Sequence, residues 1–240
     1  MMSKNNTMGL SLEGNIGAGK STFLGLINQW LDVQIVYEPH TKWQDVGGFN
    51  ILDSFYQDPS RWAYTFQTYA FVSRVVEQEK YARHATKAVQ VLERSIYSDR
   101  YCFAKNCFEM GTMTALEWKL YQEWFSWLEG AYTSRIQGLI YLQTDPTICY
   151  SRLKKRARAE EQGVSLEYLT MIHKKHEQWL VDKEEVDTYL QKVPVLVLEC
   201  NKEFEHDVVE QQKHMQKISD FFGIPFKYNG VKQQNNAICL

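Results

Sequence analysis

The sequence predicts an α/β fold, a five-stranded parallel sheet flanked by helices, and three observations carry that prediction. Five short apolar runs, at residues 8–12, 33–37, 89–92, 138–142 and 193–198, are rich in Val, Ile and Leu and read as strands. Helix-compatible stretches separate them, and strands alternating with helices pair in parallel. The first run leads into a glycine-rich loop and then a helix over 21–31. Nothing in the 240 residues reads as a linker, so we expect one domain over 1–226 and a loose tail over 227–240.

The loop is Gly14, Asn15, Ile16, Gly17, Ala18, Gly19, Lys20, Ser21 and Thr22. Its spacing fits the phosphate-binding pattern, with Gly14 and Gly19 bracketing the turn and Lys20 and Ser21 closing it. Glycines let the backbone come close enough for N–H groups to cradle phosphate oxygens, and the following helix adds its partial positive charge. Lys20 would reach the outer phosphates and Ser21 would offer a hydroxyl to magnesium. An ordinary glycine turn needs neither the Lys-Ser pair nor the strand before it.

Composition narrows the classes. At 44% apolar and 23% charged residues the chain can build a sizeable core, and a net charge of -2 argues against a nucleic-acid binder. Cys102, Cys107, Cys149, Cys200 and Cys239 form no CxxC pair, which suits a reducing compartment. No apolar run is long enough for a signal core or a membrane span, and Cys239 stands next to last, not fourth from last as prenylation requires. The expected location is the cytosol, with no membrane partner.

Taken in order, the second strand ends at Glu38 and Pro39, where open α/β sheets gather ligand groups, although a solvated loop glutamate fits the same position. Residues 43–56 are irregular, with Gly47, Gly48 and Pro59 bounding a short helix. Asp45 to Gly48 has the DxxG spacing of a GTP switch but lacks the apolar strand before it. Residues 61–87 contain no Gly or Pro and form the longest helix candidate, with Phe66, Ala70 and Val76 expected toward the core. Gln67 and Arg74, two turns apart, share a face, either solvated or walling a pocket.

The third strand ends in Glu93, Arg94 and Ser95, with Asp99 close behind. Such an acidic group can orient magnesium or a reacting hydroxyl. Residues 101–130 read as two helices broken near Gly111. The second carries Leu116, Leu120, Trp124 and Trp127 at helical spacing, a stripe that suits core, a partner helix or a dimer bundle. After the fourth strand, Asp145 and Pro146 start a helix that runs into Arg152, Arg156 and Arg158. That basic run fits a solvated face, an import signal, a nucleic-acid patch, or a segment closing over transferring phosphates. His173 and His176 on a helix over 166–181 have no third metal ligand nearby. Asn201, Lys202, Glu203 and Phe204 are similar to a guanine-reading NKxD, but Phe204 replaces the Asp, and a helix over 206–222 follows.

A triphosphate loop, two strand-end carboxylates and clustered arginines together describe kinase chemistry on a small molecule. A GTPase switch is the alternative from another class, and it lacks a credible DxxG strand and a base-reading Asp. A thymidylate-type monophosphate kinase would need further basic groups for the acceptor phosphate.

The chain resembles the deoxynucleoside kinase family, nearest its deoxycytidine and deoxyguanosine kinase branch. The matching segments are the loop at 14–22, Glu38-Pro39, Phe66-Gln67-Thr68-Tyr69-Ala70, Glu93-Arg94-Ser95, Ser98-Asp99-Arg100-Tyr101, and residues 152–169, which hold Glu161-Gln162-Gly163. The resemblance implies a P-loop kinase fold with a helical, arginine-rich lid, an ATP or other triphosphate donor, Mg2+ and a nucleoside acceptor; the Leu116 to Trp127 stripe leads us to expect a homodimer through helices within 61–130. It implies Glu38 or Glu93 as proton acceptor, Glu93 near magnesium with Ser21, and Arg94 on the 5′ oxygen and phosphates. Gln67 would pair with the base, Tyr56 and Glu161 with the 3′-hydroxyl, and Trp43, Leu52, Phe66 and Phe103 would enclose the base. Arg152, Arg156 and Arg158 match lid arginines, and Lys202, Glu203 and Phe204 the loop around the donor base. Arg74, Asp99 and Ala70 fit members that accept cytosine and purines and disfavour thymidine. Two departures stand out: Gly17 sits where relatives often carry Ala, and Lys202-Glu203 replaces a more acidic pair, which leaves the donor, ATP or UTP, open.

Overall fold

The computed structural model describes residues 7–132 and 135–227. Five strands form one parallel sheet in the order β2-β3-β1-β4-β5: β1 (Met8–Gly14), β2 (Gln34–Val36), β3 (Val89–Glu93), β4 (Gly138–Gln143) and β5 (Val195–Glu199). The central strand β1 pairs Leu12 with Glu93 on one side and Glu13 with Tyr141 on the other, which aligns the carboxyl ends of β1, β3 and β4. Both sheet faces are covered, and β4 reads as a continuous apolar run, whereas β1 alternates Leu10 and Leu12 with the buried polar Ser11 and Glu13.

One layer holds α1 (Lys20–Trp30) and α11 (Val208–Phe222), whose Phe23, Leu24, Ile27, Met215 and Ile218 pack on Leu10 and Leu12. The other holds α4 (Pro59–Arg83) and α7 (Ala115–Tyr132), where Phe71, Tyr121 and Phe125 pack with Tyr97 and Tyr141. Each such large apolar side chain contributes about 1.5–3 kcal/mol on burial.

Helix starts follow side-chain caps. Asn50 caps α3 (Ile51–Gln57), Asp58 caps α4 ahead of Pro59, and Asp145 caps α8 (Pro146–Arg156) ahead of Pro146. Ser165 caps α9 (Leu166–His176) and Asp207 caps α11. Short helices α2 (His40–Gln44), α5 (Ile96–Ser98), α6 (Lys105–Glu109) and α10 (Thr188–Lys192) complete the set.

Several expectations change. Val76 is 55% exposed, because ten residues past Phe66 it has rotated off the buried stripe that Phe66 and Ala70 share. The helical stretch expected from Tyr101 starts at Ile96, straight after Ser95, and widens into a π-helical turn over Asp99–Ala104 before α6. Gly111 (φ 76) does separate α6 from α7. The helix expected over 166–181 changes to π-helix at Glu177. Lys227, expected in the tail, donates its N–H to Trp30 O at 2.8 Å, and residues 228–240 lie outside the described residues. Among the described residues, no helix is long and apolar enough to cross a membrane.

Candidate active site

A cleft of about 710 Å³ opens at the carboxyl ends of the strands, where parallel sheets bind ligands. Its donor end is the phosphate loop. Gly17 (φ 79) and Gly19 (φ 91) adopt left-handed conformations, and a Cβ on them would lie 2.3 Å from Cys149 O and 2.7 Å from Phe204 Cζ. Lys20 folds back on the loop, donating to Gly14 O at 3.2 Å and Asn15 O at 2.8 Å. Burial and the neighbouring Arg94 lower its pKa to about 7. Ser21 Oγ donates to Glu93 Oε1 at 2.7 Å, joining the start of α1 to the end of β3.

Side chains from four elements meet at the acceptor end. Arg74 on α4 is buried and forked: Nε and Nη2 reach the Asp99 carboxylate at 2.8 and 3.1 Å, and Nη2 also reaches Glu38 Oε1 at 2.6 Å. Its Nη1 donates to Glu93 O at 3.1 Å. Burial pushes the Glu38 carboxyl up, but Arg74, Arg94 and Lys20 outweigh it and hold the pKa at about 2. Burial also works against the Arg74 charge, and Asp99 with Glu38 overcomes it, so its pKa is raised.

Arg94 turns the chain out of β3 with φ 61, a conformation costing a non-glycine residue about 1–3 kcal/mol. Its Nη1 donates to Gly14 O at 2.8 Å, its Nε stands 3.6 Å from Glu38 Oε1, and the guanidinium lies 4.7 Å from the Phe103 ring centre. Trp43 donates Nε1 to Ser73 Oγ at 2.8 Å and meets Phe66 edge-on, while Phe66 stacks on Phe55 at 5.0 Å. Leu52 and Ala70 complete that apolar wall. Gln67, 1% exposed, lines the cleft and donates its amide Nε2 to Cys107 Sγ at 3.8 Å.

Over the cleft, Arg156 Nη2 pairs with both Glu161 oxygens at 2.7 and 2.6 Å, and Arg158 stands 3.5 Å from the same carboxylate. Arg158 Nη1 also lies 3.1 Å from His40 Nε2. Burial, and then Glu161, push the Tyr56 phenol up, which keeps it protonated and able to donate. Arg152 donates to the carbonyls of Ala18, Cys200 and Lys202 at 3.2, 3.1 and 3.0 Å and lies over Phe204.

The structure brings most of the sequence-derived set around one cleft. Ile16, Gly17, Gly19, Lys20, Ser21, Thr22, Arg152, Arg156, Arg158, Glu203 and Phe204, expected at a phosphate donor, line this cleft. Glu38, Trp43, Leu52, Tyr56, Phe66, Gln67, Arg74, Glu93, Arg94, Asp99, Phe103 and Glu161 line it too. Gly14, Asn15, Ala18 and Lys202 stand behind the wall and supply carbonyls to Lys20, Arg94 and Arg152. Tyr37, His40, Phe55, Lys155, Tyr168 and Glu205 also line the cleft and were not singled out from sequence. Phe55 lies one helical turn from Leu52, so spacing carried a signal for it, whereas His40, at the start of α2 and two residues past the loop residue Glu38, carried none. Among the described residues no group of three or more His, Cys, Asp or Glu forms a metal cluster, and His176 instead bonds Ile172 O.

Parallel sheet, phosphate loop and arginine-capped cleft define a phosphotransferase that takes phosphate from a nucleotide. A family model described as deoxynucleoside kinase matches residues 10–223. The chain is 43% identical to deoxycytidine kinase 2 of Gallus gallus, over 88% of this chain and 89% of that one. It is 39% identical to deoxycytidine kinase of Homo sapiens, covering 88% and 90%. It is also 39% identical to mitochondrial deoxyguanosine kinase of Xenopus laevis, covering 82% and 83%. The chain belongs to the deoxynucleoside kinase family. With membership come a nucleotide phosphate donor and a small nucleoside acceptor.

Proposed function

We propose that the enzyme transfers the γ-phosphate of ATP, or of another nucleoside triphosphate, to the 5′-hydroxyl of deoxycytidine and purine deoxynucleosides for nucleotide salvage. The observation that carries the reading is the buried Arg74–Asp99 pair, which faces the same cleft as Lys20 and reaches Glu38. That pair offers donors and acceptors to a base edge while its bulk opposes a 5-methyl group, so thymidine is the poor substrate.

In this reading Glu38 orients and deprotonates the 5′-hydroxyl, and Arg94 and the lid arginines bear on the phosphoryl oxygens. A carboxylate with a pKa near 2 is a weak base. Phosphoryl transfer tolerates this, because its loose transition state asks mainly for positioning and charge stabilisation. Ser21 and Glu93, an oxygen pair 2.7 Å apart, fit a hard cation shared with phosphates, so these two would hold Mg2+, directly or through water. When bound it neutralises charge on the donor phosphates. Engagement of Glu93 with Ser21 favours Glu38 for the proton. Tyr56 and Glu161 serve the 3′-hydroxyl, Gln67 the base, and Lys202, Glu203 and Phe204 the donor base.

The assay that tests the reading offers ATP and magnesium with the four deoxynucleosides and, separately, their monophosphates. Phosphorylation of deoxycytidine and purine deoxynucleosides is expected; transfer only to monophosphates or only to water would overturn it.

A homodimer fits the surface of α7, where Leu116 is 70%, Trp124 49% and Trp127 56% exposed along one stripe. Trp124→Ser with Trp127→Ser should halve the mass seen by light scattering, and an unchanged mass would remove these residues from the interface. The four free thiols described, at Cys102, Cys107, Cys149 and Cys200, support placement in the cytosol.

A further inference from the structure

Three consecutive residues of β1 hold the turn that follows β3, and the middle one is a buried carboxylate. Leu12 O accepts the Arg94 N–H at 3.0 Å and Gly14 O accepts Arg94 Nη1 at 2.8 Å. Between them, Glu13 Oε1 accepts the Ser95 N–H at 2.9 Å and the Ser95 hydroxyl at 2.6 Å. The Ser11 hydroxyl donates to the same oxygen at 2.6 Å, and Ser98 Oγ donates to Ser95 O at 2.8 Å. Ser11, Glu13, Ser95 and Ser98 are all 0% exposed, on the sheet face otherwise filled by Ile96, Leu139 and Tyr141. Glu13 Oε2 meets no partner among the described residues. Burying a carboxylate with one oxygen unpartnered is costly, and an apolar residue would fit this layer better.

We propose that Glu13 is a positioning residue for phosphoryl transfer: by fixing Ser95 it holds Arg94 in its left-handed turn, with the guanidinium aimed at Glu38 and the phosphate loop. The inference rests on the kinase reading above. Arg94 occupies a backbone conformation that an L-residue leaves unless its neighbours over-determine it. Two bonds from Ser95 to Glu13 and one from Arg94 N to Leu12 provide that constraint. Released, the chain relaxes toward negative φ and the Arg94 side chain swings away from Gly14 O. A displacement of about 1 Å in such a group lowers turnover by roughly 100-fold. Gln67, Arg74 and Asp99 make no direct bond to Ser95 and touch this turn only at its edges, through Glu93 O and Ser98, so the nucleoside KM should move less than kcat.

The test compares Glu13→Ala, Glu13→Gln, Ser95→Ala and Arg94→Lys, alone and as a Ser95→Ala/Arg94→Lys double variant. Expected are kcat losses of roughly 10- to 100-fold for Glu13→Ala and Ser95→Ala, with the nucleoside KM moving less than about threefold. Glu13→Gln, which keeps an oxygen for Ser95, should recover most of kcat. In the Arg94→Lys background, Ser95→Ala should cost little more, since both act through one group. If Glu13→Ala does not fold, Ser95→Ala and the double variant give the same reading. Lower melting temperatures with kcat unchanged, or full multiplication of the two losses, would overturn the proposal and leave the kinase reading standing. A wild-type enzyme that phosphorylates no deoxynucleoside would overturn both.

Discussion

The two ends of the cleft are built in opposite ways. At the donor end the phosphate cradle itself is one continuous loop, shaped by glycines, where Lys20 rests on its own loop's oxygens, and only around it do Arg152, Arg156, Arg158, Glu203 and Phe204 come in from later in the chain. At the acceptor end the groups are side chains brought from far apart: Asp99 lies 25 residues from Arg74, and Glu38 lies 36. The first arrangement recognises what all triphosphates share. The second is a charge network whose members hold one another's position and charge, so changing one disturbs the rest. General recognition can be written locally, whereas selective recognition here requires the fold.

The largest expected effect falls where the two ends meet. Glu38→Gln should lower turnover by about 10²- to 10⁴-fold with nucleoside binding nearly intact, measured by steady-state kinetics and equilibrium titration. Turnover within tenfold of wild type would move the base to Glu93 and blur the division between ends.

Next comes the network itself. Asp99→Ala alone strands the Arg74 charge against Glu38 only and should cost about 3–5 kcal/mol in denaturant unfolding. The pair Arg74→Met/Asp99→Ala removes both charges, so it should be less destabilised than the single variant and should admit thymidine. An unchanged preference among deoxynucleosides would detach this pair from base selection.

The smallest effect is read at the donor end. With a pKa of about 7, Lys20 is mostly neutral at pH 8, and a bound triphosphate favours its charged form. Donor binding at pH 8 should therefore take up a fraction of a proton, vanishing toward pH 6 where Lys20 is already charged. Calorimetry in buffers of different ionisation enthalpy measures this, and no buffer dependence at pH 8 would refute it. In the free protein the same lowered pKa makes stability rise between about pH 7 and 10.5, because the unfolded chain binds the extra proton there.

Legibility in the sequence follows the same contrast. The strand, loop and helix from Met8 to Trp30 are contiguous, so spacing alone exposed them, and the five apolar runs fell on the five strands. Gln67 and Arg74 were seen to share a face, but helical periodicity is blind to what that face meets. Only Asp99 and Glu38 across from Arg74 turn it into a pocket wall. The early start of the helix at Ile96 was hidden because Ser95 is anchored by Glu13, 82 residues away in sequence. Val76 shows the converse error, an apolar residue placed inward by type and outward by helical phase.

Arg152 has a mechanical consequence. Its guanidinium rivets three chain segments, the phosphate loop, the end of β5 and the turn after it, into one block. Just beyond, α8 ends where Ala157 adopts φ 52, and the chain carries Arg158, Glu160 and Glu161 onward over the cleft. Ala157 is therefore the expected bending point of any closure over the cleft, with the helix before it, held by Arg152, as the fixed side. Hydrogen exchange should mark this divide, with donor and nucleoside together slowing amides after 157 far more than those of residues 149–153. Equal protection on both sides would move the hinge back to Pro146.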